Sequence, residues 1–189
     1  GISVSDLNAV ADNETLQAVL TSGAGLLSAT QQGGGTVSGT GYTFAANQGL
    51  SLSNALIGRT DNYSLKIKFQ LSTTLSFRKI VDFSNLTKDA GLYVFNGDLV
   101  FFPNGTSGST VIAADTDVEV LLARDGVTNT LKGYVDGVLQ FTVDDSNQDA
   151  VFSATDNIIQ FFQDDSLTNT EASGGIVREI LIYDGPITP

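Results

Sequence analysis

Cysteine, histidine, methionine and tryptophan are all absent from this 189-residue chain. Without Cys or His there is no thiol nucleophile, no thiolate or imidazole metal site and no histidine-dependent triad. The lack of Cys also excludes a small disulfide-stapled module. Charge is sparse and one-sided: 16% of residues are charged, with 9 Lys+Arg against 21 Asp+Glu, for a formal net charge of −12. A surface of that sign repels phosphates and anionic lipid, so no nucleic acid partner is expected. No apolar run reaches the length of a bilayer span, so no membrane insertion is expected either. The 41% hydrophobic content suffices for one domain with a real core and argues against a disordered polyelectrolyte.

What is present reads as short strands and turns. In Ser64–Phe69 the apolar Leu65, Ile67 and Phe69 alternate with Lys66 and Lys68, the period of a half-buried strand. Asn96-Gly97 and Asp136-Gly137 each separate two apolar runs, and both dipeptides favour two-residue hairpin turns. Further strands are expected at Tyr42–Phe44, Gly49–Leu52, Lys79–Phe83, Leu92–Phe95, Leu99–Phe102, Thr110–Ala113, Glu119–Arg124, Leu131–Val135, Val138–Val143, Ile158–Phe162 and Ile176–Tyr183. Strands at this spacing predict an all-β antiparallel β-sandwich or jelly roll. Before Tyr42 the pattern is weaker. Thr15–Leu20 reads as a short helix with Asp12 as N-cap, and Gln31–Gly41 as a turn-rich loop or linker.

The stretch Leu121–Val143 reads LLARDGVTNTLKGYVDGVLQFTV. Its Arg-Asp strand end, polar turn and Gly-Tyr-Val-Asp-Gly-Val resemble the central hairpin of laminin-G-like domains in the concanavalin A-like lectin and glucanase superfamily. Tyr63–Phe69 with Arg78–Phe83 is similar to that family's early strand pair, and Gly175–Asp184 to its closing strand. The resemblance runs from Tyr42 to Thr188. It implies a sandwich over residues 42–189 with residues 1–41 as an N-terminal segment packed on it. It also implies saccharide binding on the concave sheet face and its rim loops, which points to Asp82, Asn85, Arg124 and Tyr134 as ligand-binding residues. The competing reading makes these edge turns plus a structural Asp–Arg pair.

Asp164 and Asp165 follow Phe161-Phe162-Gln163, and Glu171 lies just beyond. Adjacent carboxylates repel unless something offsets them, and a hard cation with oxygen ligands does so. A calcium site of Asp164, Asp165 and Glu171 is therefore expected. The alternative is that the two aspartates cap turns and pair with Arg178 or a lysine. Catalysis has less support. Glucanases of the superfamily carry Glu-x-Asp-x-x-Glu or a close variant on one strand, and Glu14, Glu119, Glu171 and Glu179 do not make that spacing. The acidic, Gly/Thr/Ser/Asn-rich, cysteine-free composition and the start at Gly1 read as a piece of a longer secreted or cell-surface protein. The expectation is a non-catalytic extracellular binding module for a glycan or other cell-surface ligand. A structural or adhesion spacer without small ligand is the alternative, and a glycoside hydrolase stands third.

Overall fold

The computed structural model describes residues 34–53, 60–105, 108–152, 157–165 and 170–189 in full, and the backbone of four short strands before them. In chain order those four are β1 (Ile2–Ser3), β2 (Thr15–Leu16), β3 (Val19–Leu20) and β4 (Ala29–Gln31). There follow β5 (Thr36–Ser38), β6 (Gly41–Phe44), β7 (Leu50–Ser53), β8 (Tyr63–Leu71), β9 (Phe77–Asp82) and β10 (Gly91–Phe95). The last six are β11 (Asp98–Phe102), β12 (Val118–Asp125), β13 (Thr130–Val135), β14 (Val138–Asp144), β15 (Ile158–Phe161) and β16 (Gly175–Asp184). Among the described residues there is no helix.

Two seven-stranded sheets form the sandwich. The first has the order β11-β10-β9-β15-β7-β4-β2 and the second β14-β13-β12-β8-β16-β6-β5, while β1 and β3 pair by themselves. Every ladder is antiparallel. The chain is an all-β sandwich, as its strand spacing predicts.

Alternation decides what each sheet buries. On β8, Leu65, Ile67 and Phe69 are 0% exposed while Lys66 and Lys68 point outward. Fully burying one such side chain stabilises by about 1.5–3 kcal/mol. Leu92, Val94, Leu99 and Phe101 of the first sheet and Val120, Leu122 and Leu131 of the second complete the facing layers. Both expected hairpin turns form. Asn96 (φ 50°) and Gly97 (φ 93°) join β10 to β11, and Asp136 (φ 46°) and Gly137 (φ 80°) join β13 to β14. Positive φ at both central positions is what matches the turn to strand twist.

Three local expectations are corrected. Thr15–Leu16 and Val19–Leu20 are strand rather than helix; β2 adds to β4, and sheet pairing overrides a weak helical pattern rich in β-branched residues. The cap expected at Asp12 lies outside the described residues. Within the expected linker Gln31–Gly41, Thr36–Ser38 pairs with β6. Residues before Tyr42 thus supply strands to both sheets. Thr110–Ala113 is not a strand: its anchors are Ile112 N–H to the Gly97 carbonyl (2.7 Å) and Thr110 N–H to Gln140 Oε1 (3.0 Å).

One irregularity in the first sheet matters below. Lys79 pairs with Tyr93 and Val81 with Leu92, so Ile80 is an extra residue in the ladder. Its carbonyl accepts from Phe162 N–H at 2.9 Å. Residues three apart on a regular strand face opposite ways. The bulge sends Ile80 and Val81 both into the core, so Lys79 and Asp82 share the outer face.

Candidate functional site: an outer-face groove beside Tyr134

The four residues expected to bind a ligand do not converge. Arg124 sits on β12 opposite the core residue Leu131 and faces inward with Leu122. Its Nε donates to Asp145 Oδ2 at 2.7 Å, and both side chains are 0% exposed. Nη2 donates to Asn129 Oδ1 (3.2 Å) and the Asp145 carbonyl (3.3 Å), and Nη1 to the Asp61 carbonyl. Asp145 in turn accepts from the backbone N–H groups of Asp149 and Ala150. Arg124 is thus a buried clamp on Asp145, while Asp82 pairs with Lys79 instead, and Arg124 presents no surface to a ligand.

Asp82 and Asn85 belong to the first sheet and its following loop. Asp82 is fully buried; its Oδ1 accepts from Ser84 N–H (3.0 Å) and Leu86 N–H (2.8 Å), and its Oδ2 from Lys79 Nζ (3.2 Å). Asn85 Oδ1 accepts from Gln160 Nε2 at 2.9 Å. The carboxylate of Asp82 is committed to the turn after β9, and Asn85 Oδ1 ties that turn to β15.

Tyr134 lies elsewhere, on the outer face of the second sheet opposite Leu121. There it lines a groove of about 400 Å³ together with Asp125, Thr128, Thr130 and Lys132. That volume falls within the usual range for small-ligand clefts. Alternation places these side chains: Lys132 and Tyr134 are two apart on β13, and Ala123 and Asp125 on β12 flank the inward Arg124. The far wall is Pro186, Ile187 and Thr188. Ser64 pins that wall to the sheet, donating from Oγ to the Gly185 carbonyl (2.9 Å) and accepting from Ile187 N–H (2.9 Å). Asp125 Oδ1 accepts from Val127 N–H (2.8 Å) and Thr128 N–H (3.2 Å). Those amides hold its carboxyl below the usual carboxylate range, so it stays ionised. Among the described residues the groove is thus lined by hydroxyl groups, one ammonium, one carboxylate and the edge of a Tyr134 ring that is 8% exposed. Four of these groups escaped the sequence reading, although the two-residue period beside Tyr134 points to them.

The expected cation ligands resolve differently. Asp165 and Glu171 do come together, and the third carboxylate with them is Asp89, all three offering oxygens within 4.8 Å of one another. Asp164 turns away: Oδ1 accepts from Asp165 N–H (3.0 Å) and Oδ2 from Glu171 N–H (2.6 Å). Burial raises its pKa. At the cluster, Lys79 Nζ lies 2.6 Å from Asp165 Oδ2, within a side chain that is 0% exposed, and 5.2 Å from the Tyr93 ring centre. Tyr93 donates its hydroxyl proton to Asp89 Oδ1 at 3.1 Å, and burial pushes its own pKa up. Glu171 Oε2 is buried and accepts no hydrogen bond. Burial first, then the carboxylates of Asp89 and Asp164, push the Glu171 pKa up to about 7. Such a set of oxygens is of the kind a hard cation takes, and the Lys79 ammonium already bonds one member of it, Asp165. The lysine pairing and turn capping of the alternative reading describe Asp165 and Asp164.

No protein-family profile and no curated protein sequence matches the chain. Solved structures do. Domain 4 of AbnA, a GH43 extracellular arabinanase from Geobacillus stearothermophilus solved with arabinotriose, superposes with a TM-score of 0.59 at 17% identity over 87% of this chain and 85% of that one. The Ruminococcus gnavus IT-sialidase CBM40 gives 0.54 at 16% identity, over 84% and 92%. Trypanosoma rangeli sialidase gives 0.65 at 14% identity, covering 98% of this chain but 30% of the enzyme. At these identities the likeness establishes a shared β-sandwich fold.

Proposed function

We propose that the chain is a non-catalytic carbohydrate-binding module, of laminin-G-like type, carried by a longer extracellular or cell-surface protein. The observation that carries this reading is the groove beside Tyr134. A sugar presents a weakly apolar ring face and a rim of hydroxyl groups, and the groove opposes to them the exposed part of the Tyr134 ring, threonine hydroxyl groups, Lys132 and Asp125. Similarity to a domain solved with arabinotriose and to a CBM40 domain supports the same class of ligand. Two features favour binding over hydrolysis. Glycosidases generally need two carboxyl groups about 5–10 Å apart, and among the described residues Asp125 is the one carboxylate lining the groove. The acidic cluster on the other sheet is tied to Lys79. The net charge of −12 favours neutral over polyanionic glycans.

A glycan array holding neutral oligosaccharides, arabinan fragments and sialylated chains tests the reading. Binding to a neutral glycan is expected, weakened at least tenfold by Tyr134→Ala and unaffected by Leu75→Ser in the exposed loop between β8 and β9. A blank array with demonstrably folded protein would replace this reading with the spacer.

A further inference from the structure

We propose that the side chains of Lys79 and Asp165 condense into an amide cross-link, with Asp82 and Glu171 carrying the protons. Lys79 Nζ lies 2.6 Å from Asp165 Oδ2 and 3.2 Å from Asp82 Oδ2, and all three side chains are 0% exposed. The carbon that the amine must attack is one C–O bond beyond that contact. Well-oriented intramolecular reactions reach effective molarities of about 10⁵–10⁸ M. Burial favours the product as well. The reactants are a desolvated ion pair, whose charges cost free energy to hold out of water, whereas the amide is neutral. The same burial excludes the water that would reverse the reaction. The pair joins β9 to the connection after β15, 86 positions away, so the bond staples two distant segments in a chain that has no cysteine.

Each proton has a carrier. The bulge at Ile80 turns Asp82 onto the face of Lys79; two backbone amides occupy its Oδ1, and Oδ2 faces Nζ. Asp82 Oδ2 takes one proton from the ammonium, and the freed amine attacks Cγ of Asp165. Glu171 is the second carrier. It offers an oxygen within 4.8 Å of those of Asp165 and Asp89, and its buried Oε2 accepts no hydrogen bond from the described residues. Burial first, then its carboxylate neighbours, push its pKa up to about 7, so it can hold a proton at neutral pH. Glu171 protonates one Asp165 oxygen as the N–C bond forms, then recovers a proton from the nitrogen. The proton held by Asp82 passes to the new hydroxyl, the C–O bond breaks and water leaves. One ammonium and one carboxylate become one amide and one water, Asp82 and Glu171 are restored, and nothing is oxidised or reduced. The buried Tyr93 ring, centred 5.2 Å from Nζ, adds an apolar wall to the site.

Intact-mass spectrometry of the purified, denatured protein provides the test. The wild type is expected to weigh less than its sequence by one water. A tryptic map is expected to show a branched peptide joining Lys79 to Asp165, with no cleavage after Lys79. Lys79→Met and Asp165→Leu, each lacking one reacting group, are expected to have their full sequence masses. Glu171→Gln, shown to be folded by circular dichroism, is expected to keep its full sequence mass as well. A wild type of full sequence mass would overturn the proposal whatever the variants do. So would a water loss that Lys79→Met retains, or one that maps to another place such as the Asp136-Gly137 turn. A folded Glu171→Gln protein that is fully cross-linked would overturn the part given to Glu171.

Discussion

Replacing Asp145 by alanine leaves the Arg124 guanidinium in the core without its carboxylate. Both side chains are 0% exposed and the Nε–Oδ2 distance is 2.7 Å. Breaking a dry pair of this kind costs about 3–5 kcal/mol, because the remaining charge has lost its compensation. The amides of Asp149 and Ala150 lose their acceptor as well. For a chain of this size that cost lowers the melting temperature by roughly 6–20 °C. Urea unfolding of wild type, Asp145→Ala and the double variant Arg124→Met/Asp145→Leu separates the contributions. The double variant buries no lone charge and is expected to be more stable than Asp145→Ala alone. The Arg178–Asp117 pair is the control: at 23% and 43% exposure, breaking it is expected to cost about 0–1 kcal/mol. A cost below about 1 kcal/mol for Asp145→Ala would refute the picture of a desolvated clamp. Glycan binding lost by a still-folded Asp145→Ala protein would restore Arg124 to a ligand site.

Two further outcomes follow from packing and charge. Glu171 has its pKa raised from 4.5 to about 7, so the folded state holds a proton that the unfolded state releases. Its contribution is present below pH 4.5 and is lost as pH rises toward 7. Solvent screening of this partly exposed group limits the loss to about 1 kcal/mol. Urea midpoints across that window, flattened in Glu171→Gln, check it; a wild-type slope of the opposite sign there, unchanged in the variant, would count against it. Gly133 accepts the Phe141 ring against its backbone, and a Cβ there would lie 2.4 Å from ring carbons. Gly133→Ala is expected to cost about 1–3 kcal/mol by overpacking, partly recovered by adding Phe141→Leu. Recovery is read from the same urea curves, and no cost at all would show that β13 and β14 are less tightly packed than described.

Much of the sandwich was legible because its signals are local. Leu65, Ile67 and Phe69 declare a buried face within six residues, and Asn96-Gly97 and Asp136-Gly137 carry their turn geometry in two. The site was legible only where the same period was followed through. Counting by twos from Leu122 sends Arg124 inward, and counting by twos from Tyr134 brings in Lys132. Reading the hairpin as a patch of polar residues mixed its two faces, which is why a core clamp was grouped with a groove ring.

The acidic cluster marks the limit of local reading. Alternation puts Lys79 and Asp82 on opposite faces, and it is Ile80, an extra residue with no ladder partner, that brings them together. The bulge has no marker in Arg78-Lys79-Ile80-Val81-Asp82; a hydrogen bond from Phe162, 82 positions away, holds its carbonyl. Asp89 joins Asp165 and Glu171 through contacts equally distant along the chain. Two adjacent aspartates signal that a compensating charge is required, and at Asp165 the Lys79 ammonium supplies one. Whether a lysine or a metal ion meets it depends on where long-range folding delivers an ammonium. In this chain a one-residue irregularity in β9 delivers it, so the bulge and the cluster stand or fall together.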